Sequence, residues 1–237
     1  LEQTAALLEE EWITREGATR EKITYEPLGV IANISAWNYP YLVGVNVFIP
    51  ALLAGNAVLY KPSEYALLTG RHIARLLHQS GIPEAVFQCI TGSGEAGQAL
   101  LELPLQGYYF TGSYATGQRI ASALAGKMVP VQMELGGKDP LYVMDDVADI
   151  EAAAGAVLEG IMYNAGQSCC AVERVYVHEK IYEAFTASIA VQAAALKAGN
   201  PMQAGTDLGP LCLPQQVEVI KTQIKDALEK GATLLYQ

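Results

Sequence analysis

A chain of 237 residues, 51% hydrophobic and 17% charged, is long enough to bury a sizeable core and lies between one domain and two on length alone. Lys and Arg number 15 against 25 Asp and Glu, giving a formal net charge of −10 with no basic block, which argues against nucleic acid as a partner. The four cysteines (Cys89, Cys169, Cys170, Cys212) lack a Cys-x-x-Cys pair and the three histidines are not clustered with them; this argues against a disulfide framework or a structural metal and for a reducing, cytoplasmic compartment.

Short apolar runs alternate with amphipathic ones along the chain, the pattern of an α/β protein with largely parallel strands. The expected buried strands are Gly29–Ile34, Ala57–Tyr60, Val86–Ile90, Tyr108–Phe110, Leu141–Met144 and Val175–His178, with a shorter strand-like run at Val129–Met133. The longest apolar stretch, Tyr39–Gly55, is interrupted by Asn46 and Pro50 and falls short of the roughly 20 unbroken residues of a membrane span. No secretory signal opens the chain. Leu68, Ile73, Leu76 and Leu77 form an apolar helical face that ends at Gly81-Ile82-Pro83. Ile181, Phe185 and Ile189 repeat at four-residue steps, as do Ile220, Ile224 and Leu228, and all three stripes read as core faces. Two glycines after Glu134-Leu135 suggest a domain junction, dividing the chain into residues 1–133 and 134–237. A start at Leu1 and a stop at Gln237 read as a fragment of something larger.

Four segments carry candidate chemistry. Gly92-Ser93-Gly94-Glu95-Ala96-Gly97 is a literal G-x-G-x-x-G after a strand, but the acid expected about 20 positions further on is missing. It therefore reads as an ordinary strand-to-helix turn or a pyrophosphate cradle, with the first favoured. Phe110-Thr111-Gly112-Ser113 leaves a strand and enters a helix; Gly112 permits close backbone approach, Ser113 can cap, and the helix end suits a phosphate. Lys61-Pro62-Ser63-Glu64 follows a strand, where open α/β sheets bind ligands, and its cation and carboxylate could hold the two hydroxyls of a ribose. Asn164-Ala165-Gly166-Gln167-Ser168-Cys169-Cys170 puts a thiol beyond a helical segment (Ile150–Tyr163) and a glycine turn. A buried structural cysteine or a vicinal disulfide are the alternatives there.

Taken in order, these pieces resemble the aldehyde dehydrogenase superfamily. The matching stretches are Pro27-Leu28-Gly29-Val30, Trp37-Asn38-Tyr39-Pro40, Pro50 to Asn56, Lys61-Pro62-Ser63-Glu64, Phe110-Thr111-Gly112-Ser113, Glu134-Leu135-Gly136-Gly137-Lys138 and Gly166-Gln167-Ser168-Cys169. The resemblance implies a Rossmann-like open parallel-sheet domain for NAD(P), partial over residues 1–133, followed by part of an α/β catalytic domain over 134–237. It implies Cys169 as the nucleophile, Asn38 and the Cys169 N–H as oxyanion donors, and Glu134 as the base that activates water against the thioester. For the cofactor it implies Lys61 and Glu64 at the adenosine ribose, Gly112 and Ser113 at the pyrophosphate, Trp37 along the groove and Gly94 near the adenine. Gly117 and Leu135 complete the set. NAD is expected over NADP, since the Glu64 carboxylate would repel a 2′-phosphate.

The same resemblance implies an aldehyde substrate entering past Tyr39, Asn46, Ser168 and Cys170, no metal, no membrane, and a homo-oligomer in the longer parent. Ala36 stands where the family usually has proline, and Val47 where many members carry a lysine. The chain is also much shorter than typical members, and this segment alone is expected to be weakly active or inactive. A coenzyme A-acylating enzyme and a non-catalytic relative of the same fold are the competing readings; Glu134 speaks against the first, and Cys169, Asn38 and Glu134 together against the second.

Overall fold

A computed structural model describes residues 5–9, 11–14 and 21–236 of the chain. It divides into two compact units, Leu1–Leu135 and Gly136–Gln237.

The first unit opens with an antiparallel pair, β1 (Glu11–Thr14) and β2 (Glu21–Ile23), which no hydrophobic pattern announced. Its body is a five-stranded, all-parallel sheet. The strands are β3 (Val30–Ile34), β4 (Ala57–Lys61), β5 (Phe87–Cys89), β6 (Gly107–Gly112) and β7 (Val131–Leu135), in the spatial order β5-β4-β3-β6-β7. The connecting helices are α1 (Val45–Leu53), α2 (Leu67–Gln79), α3 (Gly94–Glu102) and α4 (Tyr114–Leu124).

Alternate residues of a strand face opposite sides of its sheet, and β3 shows the consequence. Ile31 joins Phe48 of α1, Ile73 and Ala74 of α2, Val58, Tyr60 and Phe87 in one core. Its neighbour Ala32 joins Leu101 of α3, Ile120 and Leu124 of α4, Tyr108 and Phe110 in another. Helices thus cover both faces, as a parallel sheet requires, and the architecture is the expected Rossmann-like open sheet. The chain builds outward from β3 to β5, then returns to the other side of β3 for β6 and β7. That reversal makes β3 and β6 the topological switch point, at whose carboxyl ends sheets of this class bind ligands.

In the second unit, β8 (Asp139–Val143) pairs in parallel with β9 (Val172–Val177) across the helix α5 (Ile150–Met162). Val143, Ala154 and Val157 meet Phe185 of α6 (Tyr182–Ala195) in its core, with Leu141, Val175 and Val177 packed around them. The helix α7 (Gln215–Glu229) follows.

Two of the expected core stripes need correcting. In α2 the buried residues are Gly70, Ile73 and Ala74, with Leu77 packed beside them. At 3.6 residues per turn Leu68 falls on the opposite side of that helix, and it is 81% exposed; Leu76, on the flank, is 48% exposed. In α7 no described residue is buried, and Ile220 and Leu228 are 39% and 44% exposed. That apolar stripe has no counterpart in the core of its unit. By contrast Ile181, Phe185 and Ile189 all contribute to the second unit's core.

Candidate active site

Every residue expected to touch a cofactor belongs to the first unit, and all but Gly117 lie at or just beyond the carboxyl end of a strand. Trp37 and Asn38 follow β3, Lys61 ends β4 with Glu64 just beyond, Gly94 opens α3 after β5, Gly112 ends β6, and Glu134 and Leu135 end β7. Parallel register brings these ends level: Ile34 pairs with Lys61 and with Phe110, Thr111 with Glu134, and Gly112 with Leu135. Glu134 and Leu135 are therefore strand residues of the sheet, and the division between units follows them at Gly136.

The β4 turn is unusual electrostatically. Lys61 is only 4% exposed. Its ammonium donates to the Pro62 carbonyl at 3.4 Å and lies 4.0 Å from the half-exposed carboxylate of Glu64. Burial pushes its pKa below the ordinary lysine value, with the Glu64 charge pulling the other way. A buried cation so loosely paired is primed for an additional acceptor. Its stem passes the first turn of α3, since a Cβ on Gly97 would come within 3.8 Å of Cδ and Cε. The turns after β4 and β5 thus adjoin.

The β6 turn behaves as its sequence suggests. Ser113 is the N-cap of α4, its Oγ accepting from the Thr116 N–H at 3.3 Å. Gly112 has a second reason to be glycine, because a Cβ there would sit 2.5 Å from the Phe110 ring. Gly117 and Leu135 touch: a Cβ on Gly117 would lie 2.7 Å from Leu135 Cδ2. Gly117 is accordingly the glycine that lets α4 settle on β7. The G-x-G-x-x-G string opens α3 with no side-chain cap bond from Ser93.

The β3 turn carries Trp37 and Asn38, both half-buried. The Ser35 hydroxyl donates to Asn33 Oδ1 at 3.2 Å, and the Ser35 N–H donates to the Lys61 carbonyl at 3.0 Å. Asn33 itself is fully buried in β3, and its Nδ2 has no hydrogen-bond partner among the described residues. Val47, the apolar residue noted in place of a lysine, packs into the apolar cluster around Phe48 and Tyr60.

In the second unit α5 ends at Met162 and passes into a short 3-10 turn, Tyr163–Gly166. Asn164 (φ 53°), Ala165 (φ 54°) and Gly166 (φ 73°) are all left-handed. This conformation disfavours alanine by roughly 1–2 kcal/mol, so the turn is strained. Cys169 and Cys170 follow, exposed and free; Cys89 and Cys212 are free as well, which disposes of the vicinal disulfide. Partial burial, then the adjacent Cys170 thiol, pushes the Cys169 pKa above the ordinary thiol value. Gln167 was not singled out from sequence. Its Nε2 donates to the Asn164 carbonyl at 2.9 Å and its Oε1 accepts from the Cys212 N–H at 2.8 Å. Among the described residues no group of three His, Cys, Asp or Glu side chains could hold a metal ion, and no helix is long and apolar enough to cross a membrane.

The family model described as "Aldehyde dehydrogenase family" matches residues 2–237. The chain belongs to the aldehyde dehydrogenase family. Betaine aldehyde dehydrogenase 2 of Rhizobium meliloti (strain 1021) is 42% identical over 208 residues, covering 87% of this chain and 43% of the relative. The chain therefore spans less than half the length of the curated relatives it matches. Among solved structures, betaine aldehyde dehydrogenase from Staphylococcus aureus in complex with NAD+ superposes with a TM-score of 0.90 at 32% identity, over 98% of this chain and 47% of that one. A 3,6-anhydro-L-galactose dehydrogenase in complex with NAP superposes with a TM-score of 0.90 at 34% identity, over 99% of this chain and 50% of that one. Within the aldehyde dehydrogenase family, the present chain thus comprises the parallel-sheet unit and the thiol-bearing segment that follows it.

Proposed function

We propose that the protein carrying this chain oxidises an aldehyde to a carboxylic acid through a covalent adduct on Cys169, with NAD as the favoured hydride acceptor. The observation that supports this most is the set of side chains at one end of the sheet. A loosely paired buried cation with the Glu64 carboxylate suits the hydroxyls of a ribose, and the helix N-terminus capped by Ser113 suits the pyrophosphate of a dinucleotide. Bound there, the nicotinamide supplies a site that accepts hydride. Residues 1–135 would be the cofactor-binding domain and the remainder the start of the catalytic domain.

The chemistry assigned to the chain's own residues runs as follows. The Cys169 thiolate attacks the aldehyde carbon, forming a thiohemiacetal. The Asn38 side-chain amide and the Cys169 N–H donate to the developing oxyanion, each such donor contributing about 3 kcal/mol. Loss of hydride from that carbon leaves a thioester on Cys169. Glu134 then takes a proton from the water that attacks the thioester, and the thiolate leaves as the acid departs. Partial burial raises the thiol pKa, so the resting sulfur favours its protonated form, and Val47, being apolar, offers it no proton relay.

The names of two of the relatives reported above favour betaine aldehyde as the first substrate to try. The test is product analysis with the full-length protein: one NADH and one carboxylate per aldehyde, lost in Cys169→Ala. Turnover that persists in Cys169→Ala, or a product that forms only with coenzyme A, sinks this reading.

A further inference from the structure

We propose that Gln167 is a positioning residue that holds the Cys169 thiol in place by clamping a strained left-handed turn to the segment around Cys212. The inference rests on the reading of Cys169 as the nucleophile.

Both ends of one amide are used, and on segments far apart in sequence. Nε2 donates to the Asn164 carbonyl, which also accepts from the Gln167 N–H at 3.1 Å, while Oε1 accepts from the Cys212 N–H. The receiving segment is itself anchored, since Leu213 is buried at 7% exposure. The turn it holds has two successive non-glycine residues in the left-handed region, and Ala165 has no polar side chain to stabilise itself there. Strain of this kind persists only when surrounding contacts over-determine it. Gln167 provides two of those contacts.

The thiol lies inside the clamped stretch. Only Ser168 separates Gln167 from Cys169, and beyond Cys170 the chain is fixed again by Ala171, which is 3% exposed and whose N–H donates to the Ser168 carbonyl at 3.3 Å. The exposed thiols therefore sit on a short arc between two held points. Releasing Gln167 frees one end of that arc. No other side chain of similar length can replace it: glutamate keeps the acceptor for Cys212 but loses the donor to Asn164, and asparagine is one carbon short.

The experiment uses the full-length protein with Gln167→Ala, Gln167→Glu, Ala165→Gly, the pair Ala165→Gly/Gln167→Ala, and Cys169→Ala. Gln167→Ala is expected to lower kcat about tenfold to a hundredfold, the loss that a misplaced reacting group produces, with KM for NAD within about twofold. Ala165→Gly should restore part of the kcat lost in Gln167→Ala, because glycine adopts the left-handed turn without strain. If Gln167→Ala does not fold, Gln167→Glu supplies the same kcat and KM comparison. Wild-type kcat in the Gln167 variants, or a fall in kcat that Ala165→Gly does not relieve at all, overturns the clamp. Retained turnover in Cys169→Ala instead overturns the nucleophile beneath it, so the two failures are told apart.

Discussion

The Ser35 N–H donates to the Lys61 carbonyl at 3.0 Å, carrying the β3–β4 pairing one residue past the end of β3. The turn bearing Trp37 and Asn38 and the turn bearing Glu64 consequently start from the same point. A change that moves one moves the other, which links the proposed oxyanion donor to the proposed ribose-binding pair.

Lys61→Met is expected to weaken NAD binding about tenfold to a hundredfold, the loss of one or two hydrogen bonds to a charged group, and yet to raise thermal stability. The sign follows from linkage. Burial lowers the Lys61 pKa in the folded state, so the folded chain binds fewer protons than the unfolded chain in the window just below the ordinary lysine value. Stability then rises with pH through that window, and the charged lysine is a burden below it. Thermal melts from neutral pH upward should show the methionine variant's advantage shrinking as pH approaches the ordinary lysine pKa. An advantage independent of pH would contradict this.

Gly70→Ala should destabilise the first unit by about 1–3 kcal/mol, the usual effect of overpacking. Its Cβ would lie 2.3 Å from Pro62 Cγ, immediately after Lys61. NAD affinity should fall with it. Gly126→Ala is the control, because nothing lies within 4 Å of a Cβ there, and urea melts should place it within about 0.5 kcal/mol of the parent.

Alkylation of Cys169 by iodoacetamide should accelerate about tenfold per pH unit between neutral pH and the thiol's raised pKa, since only the thiolate reacts. Partial burial is the main cause of the raised value and Cys170 the next. Cys170→Ala should therefore bring the midpoint of the rate profile down. A midpoint unmoved by that substitution would show that the neighbour has no influence.

Glu134→Gln in the full-length protein should release one equivalent of NADH per active site in a burst, followed by slow turnover as the thioester accumulates. Stopped-flow absorbance measures this directly. An unchanged steady rate with no burst would assign water activation to another group.

Much of the fold was readable because the central strands are buried on both faces, so that Val30–Ile34 and Ala57–Lys61 stand out as largely apolar runs, broken only by Asn33 and ended by Lys61. The termini were not: the Val131–Leu135 strand begins and ends two residues later than its apolar run suggested, because pairing with Tyr108–Gly112 extends it through Leu135. The helix Val45–Leu53 was hidden by its own apolarity and by Pro50. Leu68 misled because a list of apolar residues does not define a face until the angles between them are counted. At the candidate site the residue types and order were legible. Gln167 was not, since its importance lies in a bond to Cys212, 45 positions away in the chain.

The parallel pair Asp139–Val143 and Val172–Val177 leaves backbone amides along two open rims among the described residues, with Tyr142 and Tyr176 outward at 57% and 54% exposure. Rims of this kind recruit strands from other molecules unless something blunts them. Pro140 has no amide hydrogen to offer, and Glu173, ion-paired to Lys138, puts charge on the companion strand. Exchanging Pro140 for a β-branched residue would add an amide hydrogen to that strand, and light scattering should then show more strand-to-strand association between molecules than in the parent.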